Sequence, residues 1–457
     1  MLVIVVFVLL FGAYLQWWWK RRRMLELAAK IPEFPGGLPL LGHAHKVFGT
    51  DSSELLNFII ELSDEANRND GITSAWFNMR PHFLPTWLHH RRLLNPAFSP
   101  QVLNTFQGVF NKQARKLSDG LAVYAEGKEF DAGAIIGFTF LETIYETAFG
   151  ISPDGETSID QQFNEACHKL LGIIIRRFLN SLLHFDFIYN WTSMKREEDK
   201  LIKVLHNTSS DIIEKRKLQF LHDSQNNNND DTGKRFKPFL QLILELTATK
   251  GAFNDKDIRE EVDTMLVAGQ DTSALVLQYI FLTLGSYPKV QEKVYEEMSK
   301  IFEDSDRDVT KDDLCRMTYT EAVINETIRL YPIGTIIARD VDKDVEISQY
   351  TLPAGSTVFV SFWGIHRGPE WGPDAAAFRP ERWLEPNTLP DLHAAFGGFS
   401  IGKRMCIGKA YAMLTLKTSL AHLIRRYRIT ADHTRLRLKL DFMLRPASGH
   451  YITIERR

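Results

Sequence analysis

Between Asn254 and Tyr287 the chain carries its clearest helix signal, in a composition that is normally buried. Asn254 and Asp255 are good caps, acidic residues crowd the first turns, and Pro288 ends the run. From Met265 to Leu284 apolar side chains cover nearly every face, and such a helix normally threads the core of a large domain. Two more helices are predicted. One opens at Thr318 with the capping-box pattern Thr318-x-x-Glu321 and stops before Pro332; the other runs from about Ile407 to Arg425. Strand signals are few: Asp344–Ile347, Thr357–Phe362 and Tyr451–Ile454. The pattern predicts a mainly α protein with a small β portion, an α+β class.

A length of 457 residues suggests about three domains as a first guess, and a single large one stays open. Lys and Arg number 55 against 57 Asp and Glu, a net charge of −2, so no basic excess points to nucleic acid. Cys167, Cys315 and Cys406 are odd in number and scattered, which argues against a disulfide framework or a Cys-x-x-Cys zinc site. Each is either a buried hydrophobe or a reactive ligand.

Residues 2–19 read as an apolar run with one polar side chain, Gln16, close to the length that crosses a bilayer. Trp17, Trp18 and Trp19 end it, and Lys20, Arg21, Arg22 and Arg23 follow, so the remainder should face the cytosol. A cleavable signal peptide would carry its charge before the run and small residues after it. We therefore expect an uncleaved transmembrane anchor over 1–20, a basic and Pro/Gly-rich hinge over 21–39, and a catalytic body over 40–457. Asp223–Arg235, with four consecutive asparagines, reads as a polar loop.

Three constellations carry chemistry. In residues 399–408 Gly398 and Gly402 allow a tight loop beside something flat, and Cys406 stands at the start of a helix with Arg404 nearby. Helix N–H groups and a positive charge favour a thiolate there, a soft, electron-donating metal ligand. A lone cysteine would read as a buried hydrophobe; here Phe399, Gly402, Arg404, Cys406 and Gly408 agree together. Mid-way along the long helix lies Ala268-Gly269-Gln270-Asp271-Thr272-Ser273. Gly269 weakens a helix by roughly 1 kcal/mol relative to Ala, and Thr272 can bond back to a carbonyl and bend it. Small residues for helix packing are the plain alternative. Third, Glu326 and Arg329 share one helix face at i, i+3. That spacing alone means little, since Glu65 and Arg68 show it too.

The pattern Phe399-x-x-Gly402-x-Arg404-x-Cys406-x-Gly408 resembles the cysteine loop of the haem-thiolate monooxygenases, the cytochromes P450. The resemblance implies that fold, with haem b (iron protoporphyrin IX) held by Cys406 as axial thiolate ligand, Phe399 beside it and Arg404 on a haem propionate. It implies that Asp271 and Thr272 serve proton delivery for O–O cleavage, with Gly269 opening a groove over the haem. It implies a buried structural triad of Glu326, Arg329 and Arg382, the last from Pro380-Glu381-Arg382-Trp383. Trp87-Leu88-His89-His90-Arg91 is similar to the family's Trp-x-x-x-Arg helix, where both side chains reach a propionate, and Arg339 falls where another propionate-binding arginine is usual.

The closest likeness is to the microsomal branch that oxidises fatty acids and related chains, supported by Glu261-Val262-Asp263-Thr264. That branch often has Glu where Ala268 stands, for covalent haem attachment; Ala offers no carboxylate for an ester. The expected activity is insertion of one atom of O₂ into an apolar lipid, hydrocarbon or xenobiotic. The chain has no Gly-x-Gly-x-x-Gly and no P-loop. Electrons would come from an NADPH-dependent flavoprotein reductase, with cytochrome b5 as a further candidate donor, at the endoplasmic reticulum membrane on its cytosolic face. Two rivals stand beside this: a haem-thiolate isomerase or dehydratase, and a haem-binding variant that is inactive or poorly coupled. The last arises because Ile72–Met79 reads as a first strand, yet Trp87 follows within eight residues, leaving no room for the strand, helix and loop usual there.

Overall fold

The structure, a computed structural model, describes residues 2–38, 42–75, 87–151, 157–225 and 238–457. Its longer helices, numbered in chain order, begin with α1 (Leu2–Ala28), α2 (Ser52–Arg68), α3 (Trp87–Leu94), α4 (Gln107–Leu121), α5 (Gly133–Ile144) and α6 (Thr157–Leu179). They continue with α7 (Ser193–Gln225), α8 (Phe239–Lys250), α9 (Asp255–Ser286), α10 (Pro288–Phe302), α11 (Thr318–Leu330) and α12 (Lys409–Ile424). The strands are short. β1 (Phe130–Asp131) and β6 (Tyr427–Thr430) flank β9 (Tyr451–Arg456); β2 (Ile336–Asp340) pairs with β5 (Thr357–Ser361), β3 (Val345–Ile347) with β4 (Tyr350–Leu352), and β7 (Leu438–Asp441) with β8 (Met443–Pro446), all antiparallel. The expected mainly α class with a small β portion is what is found.

Helix α9 organises the molecule. Asn254 caps it by accepting from Asp257 N–H, and the Asp257 carboxylate accepts from Asn254 N–H in return. It is long and apolar enough to cross a membrane but is largely buried inside the protein. Its N-terminal half, through Ile258, Val262 and Leu266, packs into one core cluster with Leu141, Phe163 and Ile243. Its C-terminal half, from Ala274 to Leu284, packs into a second with Val323, Ile324, Leu416 and Leu420. The Ala268–Ser273 segment lies where the helix passes from one core to the other.

At Gly285 β6 crosses so closely that a Cβ would lie 2.6 Å from the Ala431 backbone nitrogen. Alanine gains about 1 kcal/mol of helix propensity, but the backbone cannot retreat, and overpacking costs about 1–3 kcal/mol. Gly285→Ala is expected to lower stability by up to about 2 kcal/mol, read as a lower urea midpoint; a higher midpoint contradicts this packing.

Four expectations change. The capping box at Thr318 is absent: Met317 precedes α11 without a side-chain cap. The work passes to Glu297 on α10, whose carboxylate accepts from Tyr319 N–H at 2.7 Å, Thr320 N–H at 2.9 Å and Thr320 Oγ1 at 2.6 Å. Glu321, the other half of the expected box, pairs with Lys417. Helix α1 runs on through the basic segment to Ala28, so the turn away from it comes after residue 28 rather than at 21. The strand expected over Ile72–Met79 contributes only an isolated bridge, Ser74 to Glu33, while 76–86 lie outside the described residues. The polar loop expected over Asp223–Arg235 begins as the last turn of α7, and 226–237 likewise lie outside.

Candidate functional site

A cavity of about 1190 Å³ lies between α9 and the loop that precedes α12. Cys406 lines one side; Ala268, Gly269 and Thr272 line the α9 side. The walls are mainly apolar, from Ile144, Val276, Ile328, Ile337, Phe362 and Leu416. The cavity also runs outward to Arg21, Met24 and Ala28 on α1.

The cysteine loop is built from constrained glycines. A Cβ on Gly397 would lie 2.0 Å from the Phe362 ring, and one on Gly398 2.5 Å from Ile328. Gly402 has φ +74°, a left-handed conformation that favours glycine. Cys406 N–H donates to Phe399 O at 2.8 Å, closing the loop on itself. Helix α12 starts only at Lys409, so Cys406 stands three residues before it, later than expected from the sequence. The residue is exposed to the cavity, yet the surrounding protein still strips water from the sulfur, and this burial pushes the thiol pKa up. The N–H groups of Gly408 and Lys409 and the charge of Arg91 oppose that without overcoming it. The N–H groups at the helix start thus act in the direction expected from the sequence, against the burial, and a coordinated metal would complete the deprotonation.

The cationic residues expected around the loop do gather there. Arg404 lines the cavity, and burial together with the charge of Arg339 lowers its pKa. Two guanidiniums that destabilise each other favour an anion between them. Arg339 donates to its neighbour's carbonyl, Ala338 O, at 2.8 Å. Arg91 on α3 donates to Met405 O at 3.0 Å, tying that helix to the loop. Trp87 opens α3, and its side chain lies outside the described residues. The Phe399 ring takes the Lys409 ammonium 5.9 Å from its centroid. A soft sulfur facing a wide apolar cavity, with arginines at its edge, fits a large flat apolar group that carries acidic side arms and a metal. Among the described residues no cluster of three His, Cys, Asp or Glu could hold a metal ion by itself.

On α9, Thr272 Oγ1 donates to Ala268 O at 2.7 Å, the back-bond expected from the sequence. Gly269 allows α5 to press in: a Cβ there would lie 2.4 Å from Ile144 Cδ1. Asp271 does not line the cavity. It is buried, ion-paired with Arg445 on β8, and 3.6 Å from His168 Nε2 on α6. Burial alone would raise its pKa, but His168 and Arg445 outweigh it and the carboxyl titrates below its ordinary value. Arg445 has no signature in the sequence, since its partner lies 174 residues away.

The third constellation is fully buried. Arg329 Nε and Nη2 donate to Glu326 Oε2 and Oε1 at 2.8 and 2.9 Å, and Arg382 Nε donates to Glu326 Oε1 at 3.0 Å. Arg379 N–H and Trp383 Nε1 complete the acceptor capacity of Glu326 at 2.9 and 3.0 Å. Arg329 also donates to the carbonyls of His366, Ala375 and Ala377. The look-alike pair Glu65 and Arg68 makes the same bridge on the surface, with Arg68 two-thirds exposed.

The family model described as Cytochrome P450 matches residues 41–454. The chain is 31% identical to cytochrome P450 4V2 of Homo sapiens, an alignment covering 97% of this chain and 93% of that protein. It is 28% identical to cytochrome P450 4d1 of Drosophila melanogaster, covering 92% and 91%. A crystal structure of a cytochrome P450 superposes with a TM-score of 0.68 at 21% identity, covering 82% of this chain and 83% of that one.

Proposed function

Because the chain belongs to the cytochrome P450 family, whose members are haem-thiolate monooxygenases, we propose that it oxygenates an apolar small molecule of the fatty-acid or alkane type, with electrons from an NADPH-dependent flavoprotein reductase. The observation that carries this is the single cavity bounded by the Cys406 sulfur, the Thr272 segment of α9 and apolar walls. Haem, when bound, supplies the activation of O₂. The chain's own residues do the rest. Cys406 Sγ would hold the iron from one face, and Arg404 and Arg339, with Arg91 beside the loop, would take the carboxylates. The apolar walls exclude water and orient a hydrocarbon. Thr272 Oγ1 holds a hydroxyl at the cavity surface, where a water can be ordered; Asp271, behind the wall and ion-paired with Arg445, would act as a relay that takes up a proton from solvent before passing it on. Glu326, Arg329 and Arg382 act structurally.

Helix α1 is proposed as a membrane anchor at the endoplasmic reticulum. Ile4, Val5, Phe11, Leu15, Trp18 and Trp19 are exposed along it, and at 1.5 Å per residue its 27 residues span about 40 Å, more than a hydrocarbon core of about 30 Å. The basic residues after Trp19 support an orientation with the body on the cytosolic side.

One observation favours a second reading, a poorly coupled variant. The alignment to the human relative runs over 490 positions, more than the 457 residues here, so at least 490 − 457 = 33 positions face gaps in this chain. Where such a gap falls before Trp87, at the place the sequence leaves no room for the usual strand, helix and loop, the cavity would admit water and lose electrons as hydrogen peroxide. The test is one experiment on holoprotein in vesicles with reductase. Product formation that needs both O₂ and NADPH supports the oxygenase; turnover without them points to an isomerase or dehydratase. NADPH consumption recovered as peroxide with little product supports the second reading.

A further inference from the structure

His366 lies behind the cavity wall, fully buried, between the Glu326 triad and the cysteine loop. Its ring bridges the two. Nδ1 is 3.0 Å from Arg329 O, and Gly397 N–H donates to Nε2 at 2.9 Å. A carbonyl can only accept and an amide N–H can only donate, so Nδ1 carries the proton and Nε2 is bare: one neutral tautomer satisfies both partners. Burial pushes the imidazole pKa down to about 3, so the ring stays in this form at any working pH. The ring is stacked between Phe362, at 5.8 Å and 24°, and Phe396, at 5.2 Å and 28°. The main chain joins the same connection, since Arg329 Nη1 donates to His366 O at 2.7 Å.

Gly397 is where this connection reaches the ligand loop. Its carbonyl accepts from Ser400 N–H at 2.8 Å, and the next residues lead to Phe399 O, which accepts from Cys406 N–H. The Phe362 ring that flanks His366 is also the ring pressed on Gly397. A loop residue with no side chain can be fixed only through its backbone, and His366 Nε2 is the partner its N–H has.

We propose that His366 is a positioning residue: through the Gly397 N–H it ties the cysteine loop to the Glu326–Arg329–Arg382 core and so sets where the Cys406 sulfur stands. This rests on the haem-thiolate reading. It predicts that a chain without that hydrogen bond still binds haem but holds it through a misplaced sulfur that keeps its proton, or through another ligand.

The two ring nitrogens allow a test that separates positioning from general stability. His366→Gln places an acceptor near Nε2 and keeps the Gly397 bond; His366→Asn places its amide near Nδ1 and keeps only the Arg329 bond; His366→Phe keeps the stack and loses both. Each haem-loaded protein is reduced and treated with CO, and the bands of thiolate-ligated and non-thiolate forms are compared; thermal midpoints are read separately. His366→Phe and His366→Asn are expected to show a thiolate to non-thiolate ratio roughly tenfold below wild type, the effect of one lost buried hydrogen bond, with His366→Gln restored towards wild type. Equal spectra in all three variants, with only the midpoints lowered, would overturn the proposal. Should His366→Phe fail to fold, the Gln and Asn variants decide: equal ratios overturn it. A wild-type protein lacking the thiolate band refutes the haem-thiolate reading itself, before any variant is considered.

Discussion

Cys406→Ser is expected to give a folded, helical protein with no thiolate band in its reduced CO form and no measurable O₂-dependent turnover. The side chain faces the cavity, so its replacement opens no hole in the core. The link that closes the loop, from Cys406 N–H to Phe399 O, is backbone and survives. What is lost is the sulfur: an alcohol keeps its proton and is a hard donor, where the family's chemistry needs a soft anion. Circular dichroism and the reduced CO spectrum of the same sample check both halves. A variant that keeps the thiolate band would remove Cys406 from the site.

Arg329→Met is expected to cost folding rather than chemistry. The guanidinium uses its fork on Glu326 and spends its remaining donors on three carbonyls, all in a region closed to solvent. Removing one partner of a buried ion pair costs about 3–5 kcal/mol, a large part of the 5–15 kcal/mol typical of a folded domain. Arg329→Lys should rescue little, because an ammonium has three donors without the planar fork. The measurement is the urea midpoint, or the yield of soluble haem-loaded protein when the variant does not survive purification. An unchanged midpoint would mean that Glu326 is satisfied by Arg382, Arg379 and Trp383 without it.

What was legible in the sequence is what short-range patterns encode. Helix α9 announced itself by caps, acidic first turns and an apolar body, and the structure places Asn254 at its cap. The cysteine loop and the Glu326 pair carried their own spacing. What was not legible depends on partners far along the chain. The N-terminus of α11 is capped from α10 by Glu297, so the local Thr318 pattern misled. Arg445 and His366 look like ordinary surface and helix residues until the fold brings them to Asp271 and Gly397. The burial of the sulfur by the whole site, which works against the local N–H groups, is likewise not encoded in the loop's own residues. The strands β6, β7 and β8 are four residues each, too short for alternation to stand out.

The last turns of α1 form part of the wall of the cavity that ends at Cys406. If α1 is embedded in lipid as proposed, a hydrophobic compound would reach the sulfur from the bilayer rather than from bulk solution. Half-saturation would then follow the compound's mole fraction in the lipid phase, so adding empty vesicles at a fixed total dose would weaken the apparent affinity by dilution.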